Sequence, residues 1–510
     1  MFQSILFCRQ RDEALCPAEP NCFRDLNLDQ LIDSIVKREK IPELLALYHT
    51  PLQDEEEIRY RQEFLQDLLR DDTQKIWDHF SREICTLSSY LETAQKDLAS
   101  KDSWKCNYLL YGHFLDYGER YCRSIERLRQ DIAGADYQSK GLCMTVQSIE
   151  ELCSSDFYTE LKQTLESLRK KFDNTRYCML IKNGTIRVKK YEGEDNLSEK
   201  ITDVFQKFQQ EDGKNYLQEF SEDPCADHVE AGVLHCLSRI YPELFQELTD
   251  YVHDFSDFMD RGLVRFCQEI RFYLSWLEKI QKQREEGLPF CFPQFGKEDL
   301  FANGMFDMVL AEKIGAGIVT NDFYFQKPER ILVVTGPNQG GKTTFARAVG
   351  QIHYLASLGL CVPGTSAQLL LPDRILTHFE REEALTSLNG KLGDDLQRLH
   401  DILQTSTDRS LIIINEIFSS TVLEDALRLG QHMMEALIAK GSFGVVVTFL
   451  DALAEYGPET VSMVSTVDSG DPEVRTFKVI RKPPDGLAYA MTLAARHGLT
   501  CQQILRRIMP

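Results

Sequence analysis

The chain has 510 residues, enough for two or three domains and for a sizeable core without disulfide or metal staples. It is 43% apolar and 27% charged with a formal net charge of −21, which fits a folded globular protein and argues against nonspecific gripping of phosphate backbones, a task that favours a basic surface. No apolar run approaches the ~20 residues needed to span a bilayer, and the first residues lack the apolar stretch of a secretory signal. Fifteen scattered cysteines with no Cys-x-x-Cys predict free thiols in a reducing cytoplasm.

Residues 1–40 form an N-terminal segment, and residues 41–290 are expected to be a helical domain with little Gly or Pro inside its elements. From Leu31, Ile32, Ile35 and Val36 onward, apolar residues recur at spacings of 3 and 4, the mark of a helix face packed on other helices. The acidic run Asp54 to Glu57 suits a helix entry, where negative charge meets the positive end of the helix dipole. Basic clusters at Arg169-Lys170-Lys171 and at Arg187, Lys189 and Lys190 are candidate phosphate contacts or simply solvated faces. Asn183-Gly184, between Leu180-Ile181-Lys182 and Thr185 to Val188, is a hairpin signal. Cys225, His228, His235 and Cys236 fit no common zinc spacing, and residues 228, 232, 235 and 236 simply share one face of a helix. The ladder Val252, Phe255, Met259, Leu263, Phe266, Ile270, Tyr273, Leu277 and Ile280 predicts one helix of roughly 30 residues, stopped by Gly287 and Pro289.

Near residues 290–300 the texture changes to short β-branched strands alternating with helices, so residues 291–510 are expected to be an α/β domain and the whole chain α + α/β. The run Ile331 to Val334 reads as a buried strand leading into Gly336-Pro337-Asn338-Gln339-Gly340-Gly341-Lys342-Thr343-Thr344, after which Phe345, Val349 and Ile352 mark a helix face. This satisfies the phosphate-loop pattern in its required strand–loop–helix context. Glycines let backbone N–H groups wrap phosphate oxygens at a helix N-terminus; Lys342 supplies charge to the β and γ phosphates, and Thr343 offers its hydroxyl to Mg²⁺. ATP and Mg²⁺ are therefore the expected cofactors.

A second buried strand, Leu411 to Ile414, ends in Asn415-Glu416, the form of a Walker B strand with Asn in the usual Asp place. Glu416 is the candidate to orient or deprotonate the attacking water, while the neutral amide of Asn415 is a poorer metal partner, which predicts slow turnover. Val445 to Val447, ending in Thr448, suits a strand that senses the γ-phosphate.

Taken together, the form of the loop at residues 336–344 resembles that of the MutS family of DNA mismatch-repair ATPases. Thr50-Pro51-Leu52, Glu57-Ile58, Arg61-Gln62-Glu63 and Leu65 look like the start of that family's core/lever domain. Phe292 to Phe295 and Asn321-Asp322 look like the segments that approach the adenine, with Phe295 as the stacking ring. Asp373-Arg374-Ile375 with Thr377, and Gly486-Leu487-Ala488 with Leu493, extend the resemblance to roughly residues 40–505.

The resemblance implies a helical core/lever domain followed by a P-loop NTPase domain of ABC/MutS type, and a cytoplasmic homodimer formed through the ATPase domain. ATP binding and slow hydrolysis would be coupled to branched or structured DNA. Departures from the family pattern are Asn415, Phe449 after Thr448 where a histidine is expected, Asn389-Gly390-Lys391 in the signature loop, and Ser419-Ser420-Thr421 where a Gly/Arg-rich stretch is expected. A lever beginning near residue 40 leaves no room for the mismatch-recognition domain, and Phe245-Gln246-Glu247, inside a helix, matches its Phe-x-Glu wedge by letters alone. The other readings are a nucleotide-gated protein-interaction scaffold with little hydrolysis and no DNA binding, and, more remotely, a metabolite kinase.

Overall fold

The protein was analysed as a computed structural model that describes residues 2–9, 15, 18–39, 41, 43–70, 72–99, 107–183, 185–194, 228–380, 390–418, 421–468, 474–484 and 499–508. Two compact units emerge, and they are not consecutive in sequence. Residues 1–3, 71–137 and 142–268 form one; residues 4–70, 138–141 and 269–510 form the other.

The first helices, α1 (Leu28–Glu39), α2 (Glu43–His49) and α3 (Glu55–Leu68), belong to the second unit. The apolar face read at Leu31, Ile32 and Ile35 is buried. Asp54 caps α3 by accepting from the Glu56 N–H at 2.8 Å, so the acidic run lies at a helix entry as expected.

The helical unit contains α4 (Thr73–Ala99), α5 (Asn107–Asp131), most of α6 (Lys140–Cys153) and α7 (Asp156–Asp173). The predicted hairpin follows as β1 (Tyr177–Lys182) and β2 (Thr185–Lys190), antiparallel with Lys182 opposite Thr185. Then come α8 (His228–Ile240), α9 (Pro242–Phe255) and the start of α10 (Arg261–Glu285). The single long helix expected from Val252 to Ile280 is thus two helices. Asp260 breaks it by accepting from the Leu263 N–H at 2.8 Å, while the Ser256 carbonyl is taken by Gln95 at 2.7 Å. The interruption keeps the 3/4 spacing in phase, which is why the apolar ladder does not reveal it. Phe245 is buried in α9, its ring edge-on to Tyr108 and Phe172, a core position. Three of the six residues of the basic clusters are paired with carboxylates within the unit. Arg169 is bonded to Asp116 and Glu119, Lys171 to Glu247, and Lys189 to Glu192 and Glu194. His235 and Cys236 are exposed on α8, and Cys225 lies outside the described residues. Among the described residues, no group of three or more His, Cys, Asp and Glu side chains is placed to hold a metal, every cysteine is a free thiol, and no helix is long and apolar enough to cross a membrane.

The second unit continues through β3 (Phe290–Cys291), β4 (Gln294–Phe295), β5 (Phe301–Met305), α11 (Met308–Ile314), β6 (Asn321–Tyr324), β7 (Ile331–Thr335) and α12 (Lys342–Ser357). After these come β8 (Val362–Pro363), β9 (Ser366–Leu369), β10 (Ile375–Phe379), α13 (Gly390–Thr405), β11 (Leu411–Asn415), α14 (Leu423–Lys440), β12 (Phe443–Val447), β13 (Thr460–Val467), β14 (Arg475–Arg481) and α15 (Cys501–Ile508). Six strands form the main sheet in the order β10-β11-β12-β7-β13-β14, parallel throughout except for β14. β7, β11 and β12 are buried at every position, as strands covered on both faces must be. On one face Ile331, Val333, Ile412, Ile414 and Val446 pack with Met433, Met434 and Leu437 of α14 and Leu399 and Ile402 of α13. On the other lies α12: a β-carbon on its Gly350 would stand 2.8 Å from the Ile413 side chain. The mixed helical and α/β architecture agrees with the expectation.

From Ser4 on, described residues of the 1–40 segment belong to this unit. Phe23 and Leu26 are fully buried, and Gln351 and Arg347 of α12 bond the backbone carbonyls of Leu26 and Asp25 at 2.9 and 3.0 Å. The segment from Thr50 to Leu65 grips the far end of the same helix. Leu52 N–H donates to the Ser357 carbonyl at 2.8 Å, and buried Arg61 donates to the Leu358 carbonyl at 3.0 Å and the Leu6 carbonyl at 2.9 Å. Texture changes near residue 290, but packing on α12 draws residues 4–70 into the α/β unit.

Candidate nucleotide-binding site

The strands β7, β11, β12 and β13 run the same way, so the ends at Thr335, Asn415, Val447 and Val467 open on one edge, where open α/β sheets place their ligands. The loop from Gly336 to Gly341 leaves this edge and feeds α12. Gly336 and Gly341 adopt φ of +114° and +92°, and a β-carbon on Gly336 would meet the Ser465 carbonyl oxygen at 2.7 Å. Glycine is required there by backbone geometry and by close approach. The Ser465 hydroxyl donates to the Gly340 carbonyl at 2.6 Å and ties β13 to the loop. Asn338 and Gln339 are exposed at its tip, Pro337 and Gly340 are buried, and Thr344 is half-buried on α12.

Lys342 is 4% exposed, and its ammonium donates to the carbonyls of Gly336 (3.0 Å) and Pro337 (3.1 Å) and to Asn338 Oδ1 (3.2 Å). The Glu416 carboxylate lies 3.9 Å away. Burial pushes the Lys342 pKa down, Glu416 opposes the shift, and the neighbouring positive charge of Arg475 reinforces it. Thr343 Oγ1 donates to Asn415 Oδ1 at 2.9 Å, joining the loop to the acidic strand past β12, which lies between β11 and the loop's own strand β7. Glu416 sits at φ +54°, its N–H held by the Val447 carbonyl at 2.9 Å and its side chain 35% exposed. Thr448 is buried with its hydroxyl accepting from the Leu450 N–H at 3.0 Å, and Phe449 is half exposed.

Seven sequence-predicted residues thus meet at one edge: Gly336, Gly340, Gly341, Lys342, Thr343, Asn415 and Glu416. Phe295 and Asn321 do not join each other there. They lie on the two outer strands of a second sheet, ordered β4-β9-β5-β6, three strand spacings or roughly 14 Å apart. Phe295 packs against Leu52, Ile58 and Leu371. Asn321 is buried, and its amide bonds the backbone of β14: Nδ2 donates to the Phe477 carbonyl at 3.2 Å, and Oδ1 accepts from the Val479 N–H at 2.7 Å. Sequence reasoning missed Ser465 and Phe477, which adjoin the loop through tertiary contact and sit in unremarkable strand sequence. Asn389, Ser419, Ser420, Gly486, Leu487, Ala488 and Leu493 lie outside the described residues; α13 begins at Gly390.

Fold and site together define a protein that joins a helical unit to an α/β unit bearing a glycine-rich loop at the N-terminus of a buried helix. The family model described as MutS domain V matches residues 332–502, from β7 through the acidic strand and beyond β14. The chain is 32% identical over 194 residues to the Endonuclease MutS2 of Thermus thermophilus, covering 37% of this chain and 25% of that protein. It is 30% identical over 204 residues to the DNA mismatch repair protein MutS of Thermotoga petrophila (39% and 25%) and 27% identical over 194 residues to the DNA mismatch repair protein MutS 2 of Halobacterium salinarum (37% and 22%). By this domain the chain is similar to the MutS family, and its matched part spans about a quarter of the length of those relatives.

Proposed function

We propose that the protein is an ATPase of the MutS type that binds ATP in the 336–344 loop, hydrolyses it slowly, and couples the nucleotide cycle to DNA as a cytoplasmic homodimer closed through its ATPase domain. The observation that carries this reading is the Thr343–Asn415 contact of 2.9 Å beside Lys342, at the strand ends where the parallel sheet opens. Strand order supports it as well, with β12 set between the loop strand and the acidic strand in the position of a γ-phosphate sensor.

The chemistry follows from the side chains. Lys342 now spends its donors on the loop's own carbonyls; incoming β and γ phosphates would replace those acceptors with charged oxygens and strengthen each bond. Backbone N–H groups at the start of α12 would face the same oxygens. Thr343 Oγ1 and Asn415 Oδ1 are hard oxygen donors of the kind that would hold Mg²⁺. Mg²⁺ would supply charge neutralisation on the phosphates there. Both protein donors are neutral, so the metal would be held mainly by the nucleotide and water. Glu416, partly exposed and fixed by its backbone, would orient the attacking water and accept its proton. The direct test is ATP retention by Lys342→Ala: loss of retention is expected, and tight binding by the variant would sink the loop assignment.

One observation favours a second reading, a nucleotide-gated protein-interaction scaffold. Arg169, Lys171 and Lys189 of the helical unit are paired with carboxylates, which leaves less charge for a DNA backbone in a chain of net charge −21. DNA-dependent turnover separates the two.

A further inference from the structure

Both ends of the 336–341 loop lie against a single residue of β13. A β-carbon on Gly336 would stand 2.7 Å from the Ser465 carbonyl oxygen and 3.1 Å from its nitrogen, and one on Gly340 would overlap the Ser465 hydroxyl. Ser465 itself is completely buried. It pairs with Val479 where the hairpin of β13 and β14 bulges at residues 476–478, and the Asn321 amide holds the Val479 N–H at 2.7 Å. The strand pair behind the loop is thus fixed from its outer side.

The Ser465 hydroxyl donates to the Gly340 carbonyl at 2.6 Å. Across a trans peptide the N–H points opposite to the C=O, so a Gly340 carbonyl held on β13 turns the Gly341 N–H away from that strand. The backbone around this peptide alternates in hand: Gln339 and Gly341 have φ of +60° and +92°, while Gly340 between them has no positive φ. Alternation of this kind gathers successive N–H groups into a concavity that binds anions. The carbonyls of Gly336 and Pro337 are taken instead by the Lys342 ammonium, inside the loop. Of these three carbonyls, that of Gly340 alone is bonded outside the loop. Ser462, three residues earlier on the same strand, supplies the contrast: its buried hydroxyl has no hydrogen-bond partner among the described residues.

We propose that Ser465 is a positioning residue for the phosphates of the nucleotide. It touches neither nucleotide nor metal; by pinning the Gly340–Gly341 peptide it presets the Gly341 N–H for phosphate oxygen. Without the hydroxyl the peptide is free to turn, which would present a carbonyl oxygen to an anion. The inference rests on the nucleotide-binding reading of the loop and adds to it the group that sets the loop's donors in advance.

A preset donor serves bound substrate and transition state alike, and it acts on phosphate rather than on the base, which sets the experiment. Binding of ATP and of inorganic triphosphate, and steady-state ATP turnover, are measured for the full chain, Ser465→Ala and Ser462→Ala, with thermal melting as a check on folding. Ser465→Ala is expected to weaken both ligands by the same factor, about tenfold, as for one hydrogen bond to a charged group. Its KM should rise by that factor with kcat kept, because the binding lost is uniform. Ser462→Ala is expected to match the unaltered protein. Loss of ATP affinity alone, a fall in kcat at unchanged KM, equal weakening by Ser462→Ala, or unchanged affinity in Ser465→Ala would each overturn the assignment. If the unaltered protein bound neither ligand, the nucleotide reading itself would fall.

Discussion

Asn415 shows how one atom pair sets an expectation for rate. Its Oδ1 occupies the place of a carboxylate oxygen and accepts from Thr343 at 2.9 Å, so geometry is kept while a negative charge is missing. Restoring the charge with Asn415→Asp is expected to tighten Mg²⁺ dependence and raise steady-state ATP turnover severalfold, since a carboxylate is the better partner of a hard cation. Turnover equal to the unaltered protein across a Mg²⁺ titration would remove Asn415 as the cause of slow hydrolysis. At this scale the sequence was informative, because the phosphate loop is a local motif whose residue types follow from local chemistry. Phe477 was illegible for the opposite reason. Nothing in Thr476-Phe477-Lys478 announces a bulge, which exists only once β13 and Asn321 are in place.

Among the elements, α12 joins the site to the rest of its unit. It starts at the loop and is buried along most of its length, and the chain segments around Leu26 and Arg61 are bonded to it. His353, in its fourth turn, is buried with Nδ1 2.7 Å from the Val349 carbonyl and its ring stacked on Phe323. Burial pushes its pKa down from 6.5 to about 4. Between those values the unfolded chain binds a proton that the native protein does not, so this contribution to stability is complete above about pH 6.5 and is lost as pH falls toward 4, amounting to about 3 kcal/mol in full. Chemical denaturation of the protein and of His353→Gln at pH 7.5 and 5 is expected to give a shallower pH dependence in the variant; equal slopes would show that His353 titrates alike in both states. Elements also show where periodicity falls short. The Asn183-Gly184 signal and the pairing of Lys182 with Thr185 agree because turn and register are both local, whereas the 252–280 ladder hid the break at Asp260, since apolar spacing records a face and not the continuity of the helix.

For the whole molecule, the two units divide the work that the proposed function requires. The α/β unit holds the loop, the acidic strand and the N-terminal helices, and the helical unit contains the basic clusters. Steady-state ATP turnover, alone and with homoduplex, mismatched and branched DNA at low and moderate salt, is expected to change with one DNA class and to lose that change as salt rises, because phosphate contacts release counterions. A rate indifferent to every DNA, in a protein that still retains ATP, would place it with the scaffold reading.

The sequence by itself determined the α + α/β character, the glycine-rich loop, the buried strands ending in Thr335 and Asn415, and the similarity to MutS domain V, since each is encoded in contiguous residues through periodicity, glycine placement and motif. Only the tertiary structure decided that residues 4–70 belong with the α/β unit, that Phe295 and Asn321 lie on opposite edges of a sheet, and that Ser465 and Phe477 adjoin the loop. Those facts depend on which distant segments pack together, and packing is settled by the shape and burial of the assembled core rather than by any local pattern.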